Sequence, residues 1–189
     1  MISKLILRDQ VREHLLSEMT QGKLEPGKTI NLAALARKLD VSVTPIREAL
    51  TQLQQSMLIK AIPNRGFIIA ELKYAEAKDL YELVADLEVL ALENSLFDEA
   101  SIEDLKQAQH KFKNASDTLM RIHAKLEFHK ILTQHYKNAL AQQILTDLKT
   151  RIIFYERAFL SDDSIYAKSD NQHDGIISAI EDDNVTTAA

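Results

Sequence analysis

The chain has 189 residues with 23 Lys plus Arg against 28 Asp plus Glu, a formal net charge of −5, so it is not a uniformly basic nucleic-acid coat protein. It has no Cys, which excludes disulfides, thiol nucleophiles, Cys-ligated zinc and iron–sulfur clusters. Hydrophobic residues make up 46%, enough for a core, while four Gly and three Pro are too few for a many-turned β-sandwich or barrel. The longest apolar runs, such as Gly66-Phe67-Ile68-Ile69-Ala70, fall far short of the ~20 residues that span a bilayer. The first residues lack the apolar core and cleavage site of a signal peptide. The expectation is a cytoplasmic, helix-rich protein with no membrane partner.

Charge divides the chain. Residues 1–70 hold ten basic and six acidic side chains, net +4, which leaves −9 for the remainder. Such asymmetry points to a first segment that meets a polyanion and a second that does not.

Leu5, Leu7, Val11, Leu15, Leu16 and Met19 share one helix face, with Gly22 as a C-cap candidate and Pro26-Gly27 as a turn. A second helix follows Asn31, its expected N-cap, with Leu32, Leu35, Ala36 and Leu39 on one side. A third begins near Thr44, where Pro45 suits the first turn, and turns Ile46, Ala49, Leu50 and Leu53 inward. Leu58 to Ile62 and Gly66 to Ala70 read as two strands around the turn Pro63-Asn64-Arg65-Gly66. Three helices and a hairpin make a winged helix-turn-helix order.

From Tyr74 the pattern becomes long helices. Leu80, Leu83, Val84, Leu87, Leu90 and Ala91 mark the first, and a second starts with Ser101 as N-cap. Leu119 to His135 forms a third, Ala139 to Phe159 a fourth, and a shorter helix runs from about Asn171 to Asp182. The fold class is mostly α: a winged helix-turn-helix over 1–72, then an all-α bundle over 73–189. Phe97, Phe112, Phe128, Phe154, Tyr155 and Phe159 are expected in the core or in a dimer contact. His14, His110 and His135 are expected at the surface or at helix ends. No phosphate-cradling Gly-rich loop or nucleophile elbow is present, so no enzyme is expected.

Leu35-Ala36-Arg37-Lys38-Leu39-Asp40-Val41-Ser42-Val43-Thr44-Pro45-Ile46-Arg47-Glu48-Ala49-Leu50 resembles the core motif of the GntR family of bacterial transcription factors. Gly22-Lys23-Leu24-Glu25-Pro26-Gly27 resembles its first turn, and Pro63-Asn64-Arg65-Gly66-Phe67 its wing tip. The helical remainder resembles the effector domain of the FadR/FCD subgroup, through Tyr81 to Glu88, Glu127-Phe128-His129 and His173 to Ile180. The resemblance implies a homodimeric regulator, a repressor, that binds double-stranded operator DNA and answers to a small-molecule effector.

A major groove admits one helix whose N-terminal residues reach base edges. Arg47 suits a guanine edge, Ser42, Thr44 and Thr51 a phosphate or base, and Asn64, Arg65 and Gly66 the minor groove or its flanking phosphates. Val43 stands where the family usually has Arg, so an operator different from the subgroup's common one is expected. In the subgroup's helical domain an Asp and three His hold a divalent metal such as zinc or nickel. Here His129 and His173 match two of the His, Lys125 replaces the Asp, the third His would fall past Ala189, and Val84 replaces a ligand-facing Arg. The remaining pair would hold a metal weakly, with water, or simply hydrogen-bond inside the core. Lys125 could instead serve as counter-charge to an organic acid, with His129 and His173 as donors.

Overall fold

The computed structural model describes residues 2–63, 65–71 and 73–184, without the side chains of residues 2–6 and 154. Chain contacts divide it into two compact units, Met1–Lys73 and Tyr74–Ala189.

In the first unit α1 (Ile2–Thr20) packs against α3 (Val43–Gln55), and α2 (Leu32–Leu39) lies beside α3. Asn31 caps α2 by accepting a hydrogen bond from the Ala34 N–H at 3.0 Å. Asp40 ends α2 in the left-handed region (φ 51°), where the Val41 N–H returns to the Ala36 carbonyl, and the chain enters α3 three residues later. Ile46, Ala49, Leu50 and Leu53 of α3 are fully buried, and Val11, Leu15 and Met19 of α1 are buried too, where α1 and β2 pack on α3. The stripe read from the sequence is thus the buried face. The side chain of Leu5 lies outside the described residues.

The hairpin is β2 (Ile59–Ile62) and β3 (Gly66–Ile69), paired antiparallel with Ile62 opposite Gly66 and Ile59 opposite Ile69. The Arg65 N–H closes the turn on the Ile62 carbonyl at 3.0 Å, and Gly66 (φ 81°) then takes the positive φ that returns the chain to the ladder. A third strand, β1 (Thr29–Ile30), adds to the other edge of β3, giving the order β1-β3-β2. The sequence reading lacks it because two residues are too short to show alternation and the partner strand lies far along the chain.

The second unit holds α4 (Tyr74–Glu93), α5 (Glu99–Lys113), α6 (Thr118–Thr133), α7 (Ala139–Phe159) and α8 (Asp163–Glu181). Helix α4 packs on α6 and α7, and α5 on α6 and α8. One core joins Leu92, Leu105, Ala108, Phe128, Leu132, Ile177 and Ile180; another joins Ala77, Leu80, Val84, Leu145, Ile152 and Tyr155. Phe112 and Phe128 are fully buried, as expected of core aromatics; the side chain of Phe154 lies outside the described residues.

Two helix starts differ from the sequence reading. Ser101 is not the N-cap of α5: Asp98 is, accepting hydrogen bonds from both the backbone N–H and the hydroxyl of Ser101 (2.8 and 2.5 Å). Both bonds run from Ser101 to one oxygen of the Asp98 carboxylate, which therefore takes the cap. Helix α8 begins at Asp163 rather than near Asn171, because Asp162 caps it through the Ser164 and Ile165 N–H groups. Its first two turns are largely exposed, so no apolar stripe announces them.

Candidate nucleic-acid interface and ligand cavity

Helix α3 has two faces of opposite chemistry. While Ile46, Ala49, Leu50 and Leu53 are sealed in, Ser42, Thr44, Arg47 and Thr51 are exposed on the other side. Ser42 occupies the N-cap position with extended backbone but makes no capping bond through its hydroxyl, which leaves that group for an outside partner. The Thr51 hydroxyl donates to the Arg47 carbonyl at 2.8 Å, so it has acceptor capacity left but no free donor. Arg65 and Gly66 are exposed at the hairpin tip, and a Cβ on Gly66 would touch nothing within 4 Å. Neither Arg47 nor Arg65 forms an ion pair with a carboxylate among the described residues. Asn64 lies outside the described residues. Val43 is half-buried at the start of α3.

The cations of this unit are not all free. Lys38 of α2 is bonded to Glu18 of α1, a carboxylate only 8% exposed that also faces His14. That contact ties α1 to the helix-turn-helix.

The helical unit encloses a cavity of about 660 Å³, within the range of small-molecule sites. Apolar side chains such as Val84, Val89, Leu92, Leu126 and Ile152 cover most of it, and its polar members are Tyr81, Glu88, Lys125, His129, Lys149, Glu156, Ser169, Gln172 and His173. Lys125, His129 and His173, named from the sequence, are therefore brought together: the two imidazole centroids lie 5.3 Å apart, nearly perpendicular.

Their partners, however, are residues that sequence reasoning missed. Lys125 is no free counter-charge. Its ammonium donates to both carboxylate oxygens of Glu156 (2.9 and 3.1 Å), and the Tyr81 hydroxyl donates to the same carboxylate at 2.8 Å. Burial and then the neighbouring Glu156 carboxylate push the Tyr81 phenol far above its ordinary range, so it stays a donor. Glu88 faces His129 Nδ1 at 2.9 Å and the Lys149 ammonium at 2.7 Å. Burial alone would raise the Glu88 pKa, but His129 and Lys149 outweigh it and hold the carboxylate down to about 2.

His173 is 2% exposed and stacks on Phe128 with centroids 4.0 Å apart. Its Nδ1 lies 2.8 Å from Gln109 Oε1. The Gln109 amide nitrogen meets three acceptors, the Asp170 carbonyl and the carboxylates of Asp170 and Asp174. The amide is thereby oriented with its oxygen toward His173, so Nδ1 carries the proton. Burial first, and the cationic surroundings of His129 and Lys125 next, lower the His173 pKa to about 2 and keep the ring neutral. Its Nε2 is a bare lone pair with no hydrogen-bond partner. His173 is thus an acceptor toward the cavity, not the donor expected from sequence.

These residues do not fit a resident metal. An ammonium occupies the position of the missing carboxylate, and among the described residues no three His, Asp or Glu side chains converge as a ligand set. Val84, in place of the Arg, contributes only apolar surface.

The missed carboxylates left one signal. Glu88 and Glu156 interrupt apolar stripes at helical spacing, four residues after Val84 and Ile152. A carboxylate in such a stripe asks for a buried cation.

Residues 7–69 match the family described as bacterial regulatory proteins, gntR family, and residues 79–189 match the FCD domain. The chain belongs to the GntR family. Within it, the FCD match marks a DNA-binding transcriptional regulator with an effector domain, not an enzyme. It is 29% identical over 152 residues to the HTH-type transcriptional regulator YdhC of Bacillus subtilis (strain 168), covering 77% of this chain and 67% of that one. It is 30% identical over 111 residues to the HTH-type transcriptional regulator McbR of Escherichia coli (strain K12), covering 54% of this chain and half of that regulator. The solved fold of E. coli McbR/YncC superposes with a TM-score of 0.81 at 19% identity, covering 96% of this chain and 89% of the other. A mostly helical GntR regulator with a winged helix-turn-helix and a helical FCD domain is therefore established. No helix among the described residues is long and apolar enough to cross a membrane.

Proposed function

We propose that this GntR regulator is a cytoplasmic repressor that binds a palindromic operator as a homodimer and responds to a small metabolite held by its helical unit. Residues 1–72 act as the DNA-binding domain, and residues 73–189 as the effector and dimerisation domain. The observation that carries the reading is α3: its apolar stripe is buried to completion while Ser42, Thr44, Arg47 and Thr51 stand exposed along the opposite edge.

In this reading Arg47 donates two hydrogen bonds to a guanine edge. Ser42 and Thr44, with the free N–H groups at the start of α3, hold a phosphate. Arg65 and Gly66, flanked by Asn64, bring the wing against the minor groove. One α3 with a single bidentate contact gives modest affinity, and a two-fold dimer doubles the contacts on a palindrome. The effector acts by favouring one of two dimer geometries over the other. The chain's −9 remainder makes no comparable case for DNA contact.

The test is a fluorescence-anisotropy titration of the full chain against the DNA upstream of its own gene, with scrambled DNA as competitor, at several salt concentrations. Tight binding that resists scrambled competitor supports the reading. Binding of equal strength to both, with a steep salt dependence, would mark a non-specific architectural binder instead.

A further inference from the structure

The polar chemistry of the cavity is unusual in what it offers. Its two ammoniums, Lys125 and Lys149, each face a carboxylate, Glu156 and Glu88, and the His129 ring shares the Glu88 carboxylate. Both carboxylates are nearly sealed, at 2% and 13% exposure, so each basic side chain that an incoming anion meets already faces a carboxylate. An anionic ligand would have to break a buried pair and leave a glutamate uncompensated beside it, which is strongly unfavourable.

Among the described residues, one buried polar atom of the lining has neither a hydrogen bond nor an ion pair. His173 lines the cavity with Nδ1 committed to Gln109, and Nε2 is buried, bare and unpartnered. A buried acceptor without a donor is a cost that a ligand can relieve. A metal would also accept that lone pair, but the Lys125 ammonium nearby and the absence of three converging His, Asp or Glu side chains among the described residues argue against one.

We propose that the cavity takes an uncharged molecule with a hydrocarbon body and one hydroxyl, whose O–H donates to His173 Nε2. The histidine is then a hydrogen-bond acceptor where a metal ligand would otherwise stand. Val84, Val89, Leu92 and Leu126 receive the hydrocarbon, and the Lys125–Glu156 and Lys149–Glu88 pairs reject carboxylates and bare cations alike. This rests on the reading of the helical unit as an effector domain and narrows its ligand to a class.

The experiment uses the full chain and three probes of equal length: 1-octanol, its isomer heptyl methyl ether, which lacks a donor, and octanoate, which is charged. Isothermal titration is expected to rank octanol about tenfold above the ether, the size of one buried hydrogen bond. Octanoate is expected to be weaker still. In His173→Phe, which keeps a stacked ring but has no acceptor, octanol and the ether should bind alike.

Because that variant also removes the buried bond to Gln109, the tautomer is read independently in the unmodified chain. Long-range ¹⁵N–¹H correlation spectra should show His173 protonated at Nδ1 and bare at Nε2, with Nε2 shifting when octanol is added. Octanoate binding best would overturn the inference while leaving an effector site in place. So would stoichiometric zinc or nickel binding, or a protonated Nε2 in the free chain. No binding by any probe would overturn this inference alone, since an effector of another class would leave the effector reading standing.

Discussion

In the N-terminal unit Arg47 and Arg65 are exposed with no carboxylate against them among the described residues, whereas in the helical unit Lys125 and Lys149 are withdrawn to 19% and 15% exposure and each meets a glutamate. Under the proposed function, the difference follows from what each must meet. DNA brings its own dense negative charge, so cations facing it gain by being unpaired and mobile. A largely apolar cavity offers little to a bare charge, so a charge inside is stabilised by a partner before a ligand arrives. A lysine found by family position is therefore not a free charge until its neighbours are known.

The sharpest way to break that contrast is to remove one half of a buried pair. Glu156→Leu leaves the Lys125 ammonium and the Tyr81 hydroxyl without their acceptor. It should destabilise the helical unit by about 3 kcal/mol or more, read as a shift of the urea midpoint at unchanged slope. Loss of less than ~1 kcal/mol would mean that solvent compensates Lys125 and the cavity is open.

Acidification probes the same interior. His173 stays neutral in the folded chain, held down to about 2, while in the unfolded chain it takes a proton below its ordinary 6.5. The unfolded state then binds more protons, so stability falls as pH drops below 6.5, by about 1.4 kcal/mol per pH unit for one proton. Glu88, with its folded pKa lowered from 4.5 to about 2, adds a further loss only below 4.5. Between these limits His173→Phe should flatten the slope by one proton in pH-resolved urea denaturation. An unchanged slope would assign the proton elsewhere.

Much of the N-terminal unit was legible because its signals are local. Asn31 three residues before the N–H it caps, Pro45 in the first turn of α3, and Gly66 after the hairpin turn each act within a few residues. Helix α7 runs over Ala139–Phe159 as the apolar period indicated. What stayed hidden depends on distant partners. The short strand β1 exists only because β3 arrives beside it. The Tyr81–Glu156 and Lys125–Glu156 bonds join residues 75 and 31 positions apart, and nothing in either neighbourhood announces the other. The same holds for Gln109, whose side chain orients His173 from another helix. The cavity's lining was partly visible, its charge balance was not.

The smallest effect sharpens the picture of the void. Gly175 lies inside α8 at the cavity wall, and a Cβ there would touch nothing within 4 Å. Gly175→Ala should raise stability by about 0.8–1 kcal/mol through helix propensity alone, seen as a higher urea midpoint. A loss would show that the wall is closed against side chains at that point.

The most direct test of the account concerns α3. Selection of bound sequences from a random DNA pool, run with the unmodified chain and with Arg47→Ala, reads which base each side chain chooses. The account predicts a symmetric operator with a guanine in each half-site whose preference vanishes in the variant, with affinity lowered by about 1–3 kcal/mol. An identical selected sequence from both proteins would contradict it.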